Sequence, residues 1–264
     1  MEGKMRNGKV IQMQRLPSPS RKVKLFLVTY WSQGLKVKGL LAEPLQSIEL
    51  PGLLYLRGGI KSVGMVRTAR VIQFASEGFI VFAPFYRGNR GGQGNEDFCG
   101  EDRHDAIAGF QLLREHESVD KQRIHLYGFS RGGAMALLTA IAEPTVRSVV
   151  CWNGVTDMSL TYEERIDLRR MLKRVIGGPP WKKEAEYKWR TPLAEINKIN
   201  SPVCIVHGMK DEHVSFEHAK LLEEALSSLN KSYQTMYFED LRHQFPEPFN
   251  RKLLKRVTDW MKEQ

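Results

Sequence analysis

The chain has 264 residues, of which 42% are hydrophobic and 27% are charged, a composition typical of a folded globular protein. Forty Lys and Arg residues against thirty Asp and Glu residues give a formal charge of +10. These basic residues are scattered along the chain and accompany no aromatic–basic module, so we do not expect nucleic-acid binding. A chain of this length can bury a large core without disulfides or metal ions, and we predict a single domain over residues 1–264.

The N-terminal 15 residues are polar and basic and lack the apolar segment of a secretory signal. Every apolar stretch is shorter than the roughly 20 residues that a membrane span needs, so we expect no membrane span. The three cysteines, Cys99, Cys151 and Cys204, are far apart and odd in number, which favours free thiols over disulfides. We therefore expect a cytoplasmic protein.

The chain begins with turn signals, and we expect residues 1–20 to be loose. Two strand-like runs, at 23–30 and 35–42, flank Gln33 and Gly34 and predict a hairpin. After the hairpin, short apolar runs alternate with helical patterns. This alternation predicts an α/β fold with a mostly parallel sheet of about eight strands, built from strand–helix–strand crossovers.

The pattern predicts further strands at 53–56, 79–83, 123–127, 146–152, 203–206 and 234–238, and helices at 65–76, 102–116, 132–143, 216–229 and 248–262. Residues 156–200 interrupt this rhythm with amphipathic pieces and a Gly-Gly-Pro-Pro break. We interpret them as a small helical lid inserted over the strand ends, where ligands bind on such sheets.

Residues 128–132 read Gly-Phe-Ser-Arg-Gly and match the nucleophile-elbow pattern G-x-S-x-G. The pattern needs glycines because side chains at those positions would collide with backbone in the sharp turn from strand to helix. A predicted strand precedes the motif and a predicted helix follows it, as the turn requires. Ser130 is therefore a candidate nucleophile, and the alternative is a structural turn with an incidental serine.

A serine needs a base, and the base needs an orienting acid. Asp211 and His243 follow two later strands and are expected on the same rim of the sheet as Ser130. Asp157 is an alternative acid, and Asp240 and Glu239 are weaker ones. For His243 the alternative is a surface histidine. Among the other histidines we expect a structural role for His207, and solvent exposure for His213 and His218.

An oxyanion hole needs backbone N–H groups aimed at the developing charge. The amide of Arg131 is one candidate, because it follows the nucleophile at a helix N-terminus. The loop after the strand at 53–56, Arg57-Gly58-Gly59, is expected to supply the second. The glycine-rich stretch 86–94 lacks the Lys-Ser/Thr of a phosphate loop, so we expect it to pack beneath the elbow, with Arg87 held by carbonyls or carboxylates.

Together these segments resemble the catalytic domain of the prolyl oligopeptidase-like serine hydrolases, which have the α/β-hydrolase fold. The resemblance extends over about residues 50–262 and includes 86–88, 102–113, 128–132, 190–192, 202–214 with its H-G-x-x-D-E-x-V form, and 242–245. It implies Ser130 as the nucleophile, His243 as the general base and acid, and Asp211 as the partner that orients His243.

Two departures from the family matter. The chain has no room for the family's large N-terminal β-propeller, and Arg57 stands where the family often has His or Tyr. The oxyanion hole would then rely on main-chain amides or on Arg57 itself. We expect a hydrolase of small-molecule carboxylic esters that needs no metal or cofactor. The alternatives are a peptidase acting on short peptides and a non-catalytic binding protein.

Overall fold

The computed structural model describes residues 6–45 and 49–264. Residues 1–5, at the start of the segment predicted to be loose, lie outside the described residues. Within the described chain nine strands form one sheet, in the order β1-β2-β3-β5-β4-β6-β7-β8-β9. The strands are β1 Val10–Leu16, β2 Val23–Ser32, β3 Leu35–Pro44, β4 Leu50–Leu56, β5 Ile80–Pro84, β6 Val119–Phe129, β7 Ser148–Trp152, β8 Val203–Gly208 and β9 Tyr233–Phe238.

The helices connect these strands and cover both faces of the sheet. They are α1 Thr68–Ser76, α2 Arg103–Glu115, α3 Arg131–Ala142, α4 Met158–Glu164, α5 Arg169–Ile176, α6 Glu184–Trp189, α7 Phe216–Ser228 and α8 Phe249–Glu263. None of the helices in the described ranges is long and apolar enough to cross a membrane.

The sheet is mostly parallel, as predicted, because β4 to β9 pair in parallel while β1, β2 and β3 run antiparallel to their neighbours. It has nine strands rather than about eight. The additional strand is β1, within the segment predicted to be loose. Its side chains are almost all exposed, so burial of one face does not stabilise it as a strand. Pairing with β2 fixes it as a strand, with Met13 opposite Val28.

Each face of the sheet has its own apolar cluster, because successive side chains of a strand point to opposite faces. On β6, Leu126 belongs to the cluster covered by α2, α3 and α7, whereas Tyr127 belongs to the cluster covered by α1 and α8. On β8, Ile205 and Cys204 are divided in the same way. Central strands such as β5, β7 and β8 are therefore buried on both faces, which explains their short continuous apolar runs.

The insertion between β7 and β8 contains α4, α5, α6 and three short 3₁₀ helices. Helix α5 ends at Gly177, whose left-handed φ of 97° suits a residue without a β-carbon. The insertion follows the carboxyl end of β7, which lies between β6 and β8. Its position brings it to the edge of the sheet where the chain leaves β6, β8 and β9.

Candidate active site

The turn between β6 and α3 holds Ser130 in a strained backbone conformation, with φ 57° and ψ −126°. The glycines of the motif are required by close backbone contacts. A β-carbon on Gly128 would stand 2.0 Å from the carbonyl oxygen of Gly132, and one on Gly132 would stand 2.0 Å from that of Leu56. The sharp turn places Ser130 at the carboxyl end of β6 with its side chain in a cleft.

Asp211 and His243 meet at the same edge of the sheet, after β8 and β9. Nδ1 of His243 lies 2.7 Å from Oδ2 of Asp211. The other carboxylate oxygen of Asp211 accepts hydrogen bonds from the backbone N–H groups of His213 and Val214, at 2.8 and 3.0 Å. Because the carboxylate accepts at Nδ1–H, it leaves Nε2 of the imidazole free to accept a proton.

Ser130 and His243 line one cleft, whose volume is about 420 Å³. The imidazole ring also packs on the ring of Phe129, the residue before Ser130, with centroids 4.8 Å apart. Among the hydrogen bonds of the described residues, none joins Ser130 to His243. The two side chains are therefore neighbours in one cleft without a direct bond in this state.

The alternative acids lie elsewhere. Asp157 caps helix α4, where its Oδ1 accepts from the backbone N–H of Leu160 at 2.8 Å. Asp240 is exposed and pairs with Lys210 at 2.5 Å, and this ammonium lowers the pKa of the carboxyl. Glu239 is exposed as well.

The other histidines divide between the interior and the surface. His207 is buried and its Nε2 lies 2.9 Å from the carbonyl oxygen of Val214, in keeping with the structural role expected for it. His213 is exposed at the rim of the cleft. The expected exposure of His218 is wrong: only 1% of this residue is exposed, and its Nδ1 accepts from the backbone N–H of Thr156 at 3.1 Å.

Two backbone segments lie next to Ser130. Arg131 is the first residue of α3, so its N–H has no acceptor within the helix and points out of the helix end. Gly58, in the loop after β4, lies so close that a β-carbon there would stand 2.7 Å from the Cβ of Ser130. Both segments were singled out in the sequence as candidate oxyanion donors.

The guanidinium of Arg57 is engaged elsewhere. It donates to the carboxylate of Glu96 at 2.8 Å and to the carbonyl oxygens of Gly58, Val63 and Phe85. The side chain is fully buried and does not line the cleft. Its charged end therefore holds the loop around Gly58 rather than reaching toward a substrate.

The carboxylate of Glu96 also holds Arg131, the residue after Ser130. Oε1 of Glu96 accepts from Arg131 at 2.6 Å, Oε2 accepts from the backbone N–H of Lys61 at 2.5 Å, and Asp102 accepts from Arg131 at 3.1 Å. Burial would raise the pKa of Glu96, but Arg131 and Arg57 hold it below its usual value. Glu96 thus ties the loop after β4 to the start of α3 by buried charge pairs, a link that the sequence reading missed because the partners are far apart along the chain.

The cleft wall combines aromatic rings and arginines. Tyr55, Tyr127, Trp152 and Phe245 line it on the α1–α8 face of the sheet, whereas Val155, Thr161, Leu168 and Val214 line it beside the insertion. Arg67, Arg70 and Arg165 also contribute to the lining. Among the described residues that line the cleft none is Asp or Glu, so the charged side chains of the lining are all basic.

Residues 66–264 match the prolyl oligopeptidase family, a stretch that includes Ser130, Asp211 and His243. The chain belongs to the prolyl oligopeptidase family. It is therefore a serine hydrolase with the α/β-hydrolase fold, as the resemblance in its sequence implied.

One relative of this chain is a protein of Bacillus subtilis (strain 168) named uncharacterized peptidase YtmA. The two are 58% identical over 254 residues, which cover 96% of this chain and 99% of the relative. A second protein of the same organism, uncharacterized peptidase YuxL, is 23% identical, and the chain spans only 37% of its length.

Solved structures share the fold. Acetyl xylan esterase 1 from Thermoanaerobacterium sp. superposes with a TM-score of 0.75 at 16% identity, over 95% of this chain and 87% of that one. The acylaminoacyl peptidase of Pyrococcus horikoshii also gives 0.75, at 19% identity, over 97% of this chain and 41% of that one. The fold is thus shared by an esterase and a peptidase.

Proposed function

We propose that this serine hydrolase cleaves small carboxylic esters with Ser130 as nucleophile, His243 as general base and acid, and Asp211 as the residue that orients His243. The observation that carries the proposal is the 2.7 Å contact between Nδ1 of His243 and Asp211, at the edge of the sheet where the elbow presents Ser130. A serine beside an imidazole held by a carboxylate is the arrangement that activates a hydroxyl for acyl transfer.

The reaction proceeds through an acyl-enzyme. Oγ of Ser130 attacks the ester carbonyl carbon while Nε2 of His243 takes the hydroxyl proton. The tetrahedral oxyanion accepts hydrogen bonds from the N–H of Arg131 and from a main-chain amide of the loop around Gly58. The intermediate collapses, and the alcohol leaves with the proton from His243. Water then attacks the acyl-enzyme by the same route and releases the acid and Ser130.

Catalytic contacts often tighten only when substrate is bound, so the missing hydrogen bond between Ser130 and His243 is compatible with this mechanism. The helices at 156–200 stand at the edge of the sheet that the cleft occupies, and we propose that they act as the lid of the single domain. The three buried, unpaired cysteines suit a reducing compartment such as the cytoplasm.

The lining of the cleft favours esters over peptides with a free amino terminus. An aminopeptidase must hold a protonated amine, for which carboxylates are the natural partners. The cleft presents Arg67, Arg70 and Arg165 instead. A peptidase acting on short peptides is the second candidate, because the relative that is 58% identical bears the name of a peptidase.

The test compares p-nitrophenyl acetate and butyrate with aminoacyl and dipeptidyl nitroanilides. We expect the esters to be hydrolysed with the higher kcat/KM, and Ser130→Ala to lower turnover by a factor on the order of 10⁶. The matched control is Ser76→Ala, on the exposed end of α1, which should retain wild-type turnover.

The outcomes separate the candidates. If the nitroanilides have the higher kcat/KM and Ser130→Ala abolishes their hydrolysis, the protein is a peptidase and the esterase proposal is wrong. A protein that turns over neither class and whose Ser130 does not react with a fluorophosphonate probe would be a binding protein, and both catalytic proposals would be wrong.

A further inference from the structure

The cleft contains two arginines whose charge no acidic side chain balances. Arg67 is the residue before α1, and Arg70 lies in the first turn of that helix. Nη1 of Arg70 donates to Oε1 of Gln73 at 3.0 Å, and Nη2 donates to Oδ1 of Asn250 at 2.6 Å. Both partners are neutral amides, so neither of them balances the charge of the guanidinium.

Arg67 is exposed, and its side chain makes no ion pair or hydrogen bond within the described ranges. The other arginines that line the cleft differ in this respect. Arg165 makes two bonds to Asp167, at 2.9 and 2.7 Å. Arg131 is paired with Glu96 and Asp102. The unbalanced charge is thus confined to the end of the cleft beside α1.

An aromatic wall lines the same cleft as these arginines, Ser130 and His243. Neighbouring ring centroids are 5.7 Å apart between Tyr55 and Tyr127, and 5.8 Å apart between Tyr127 and Trp152. The centroids of Trp152 and Phe245 are 5.3 Å apart. Burial raises the pKa of the Tyr55 hydroxyl, and the nearby charges of Arg70 and Arg67 oppose that rise. Both arginines line the cleft together with these rings.

We propose that Arg67 and Arg70 form an anion-binding subsite, and that the natural substrate carries a carboxylate joined to the scissile ester by an apolar segment. This inference rests on the proposed ester hydrolysis. Arg67 and Arg70 line the same cleft, so one carboxylate bound there can meet both guanidinium groups. The planar donors of Arg match the two oxygens of a carboxylate, and the aromatic wall suits the apolar segment.

The first experiment compares esters that differ only in charge. On the acyl side, p-nitrophenyl hydrogen adipate is paired with p-nitrophenyl hexanoate, and on the alcohol side acetoxybenzoate is paired with acetoxybenzamide. We expect the anionic member to have the higher kcat/KM in at least one pair. The selectivity, which is the ratio of anionic to neutral kcat/KM, should fall about 10- to 100-fold in Arg67→Gln and in Arg70→Gln.

The matched control is Arg147→Gln, which removes the same charge at the opposite end of the strands, before β7. It should keep the wild-type selectivity. Equal kcat/KM values within both pairs would overturn the proposal, as would a selectivity that survives both cleft substitutions. Arg67→Gln keeps the test valid if Arg70→Gln fails to fold, because Arg67 has no described side-chain bond to lose.

The second experiment needs no turnover, so it separates this inference from the esterase proposal. In Ser130→Ala protein, calorimetry measures binding of phenylbutyrate, phenylbutyramide and phenyl phosphate. We expect phenylbutyrate to bind at least about tenfold more tightly than the amide, with the advantage reduced by salt and by Arg67→Gln. Equal affinity for acid and amide would overturn the subsite, and tighter binding of phenyl phosphate than of phenylbutyrate would overturn the carboxylate assignment.

Discussion

Gly58 faces Ser130 so closely that a β-carbon at position 58 would stand 2.7 Å from the Cβ of Ser130 and 3.2 Å from its Oγ. The loop after β4 therefore presents bare backbone to Ser130. A bare backbone is what an oxyanion hole needs, because amide N–H groups can then approach the reacting carbonyl without interference from a side chain.

Replacing Gly58 with alanine should displace either this loop or Ser130. If the loop supplies one oxyanion donor, we expect kcat for a p-nitrophenyl ester to fall about 10²- to 10³-fold in Gly58→Ala. The control is Gly178→Ala, where the new β-carbon meets the flexible side chain of Lys183 at 3.1 Å. Near-normal kcat in a folded Gly58→Ala protein would exclude the loop from the oxyanion hole.

Because Asp211 is hydrogen-bonded to His243, we expect an isosteric substitution of Asp211 to lower kcat strongly. In Asp211→Asn the amide can donate to Nδ1, which would place the imidazole proton on Nε2 and leave no acceptor for the serine proton. We expect kcat to fall by about 10⁴, as expected for the wrong imidazole tautomer. Asp240→Asn, at the exposed pair with Lys210, is the control. A loss smaller than tenfold in Asp211→Asn would contradict the role assigned to this residue.

Glu96 should matter for both stability and catalysis. Glu96→Gln removes the negative charge from between two buried guanidinium groups, and breaking such a pair costs about 3–5 kcal/mol of unfolding free energy. We expect denaturant titration to show this loss, and steady-state kinetics to show a fall in kcat larger than any rise in KM, since both donor segments lose their common anchor.

The exposed pair of Glu195 and Lys198 offers the control for that substitution, because both side chains are at least half exposed. Glu195→Gln should cost less than about 1 kcal/mol. If Glu96→Gln matched Glu195→Gln in stability and kept the wild-type kcat, Glu96 would have no anchoring role.

His125 predicts a pH dependence of stability. It is buried in β6, and its Nδ1 lies 2.8 Å from Oγ of Ser148. Its Nε2 has no hydrogen-bond partner among the described residues. Burial lowers its pKa to about 3, whereas an unfolded histidine titrates near 6.5. The unfolded state therefore binds the extra proton first as the pH falls, and stability should decrease by up to about 1.4 kcal/mol per pH unit between these two values.

Denaturant titrations from pH 7 to pH 4 measure this slope. His125→Leu should give a flatter profile than the wild type, whatever its stability at pH 7. His213→Gln, at an exposed position, should retain the wild-type slope. An unchanged slope in His125→Leu would show that His125 does not titrate in this way.

Much of the fold was predictable because its central strands are buried on both faces and read as apolar runs. The predictions were less accurate at element ends. Helix α1 was predicted to begin at 65 but begins at Thr68, since Arg67 has extended backbone angles. Strand β6 begins at Val119 rather than at 123. Its pairing with β4 is irregular in this part, because Pro51 pairs with Asp120 whereas Gly52 pairs with Ile124. Strand β1 was missed because pairing with β2, rather than burial, forms it.

The candidate site could be predicted where its residues lie in a local motif or directly after a predicted strand. The motif around Ser130 and the strand ends before Asp211 and His243 can be recognised one segment at a time. The buried pairs could not be assigned in this way, because Glu96 lies 39 residues from Arg57 and 35 from Arg131. For Arg87 the expectation of a carboxylate partner is confirmed, by Asp105 at 2.9 Å.

The edge strand β1 has a consequence for handling the protein in solution. One long edge of β1 pairs with no other strand among the described residues, and Val10, Ile11 and Met13 are exposed on it. Such an edge is a template for strand pairing between copies. Repulsion from the charge of +10 opposes that pairing at neutral pH, and it vanishes near the isoelectric point of about 9.5. The protein should therefore aggregate at a lower concentration near pH 9.5 than at neutral pH.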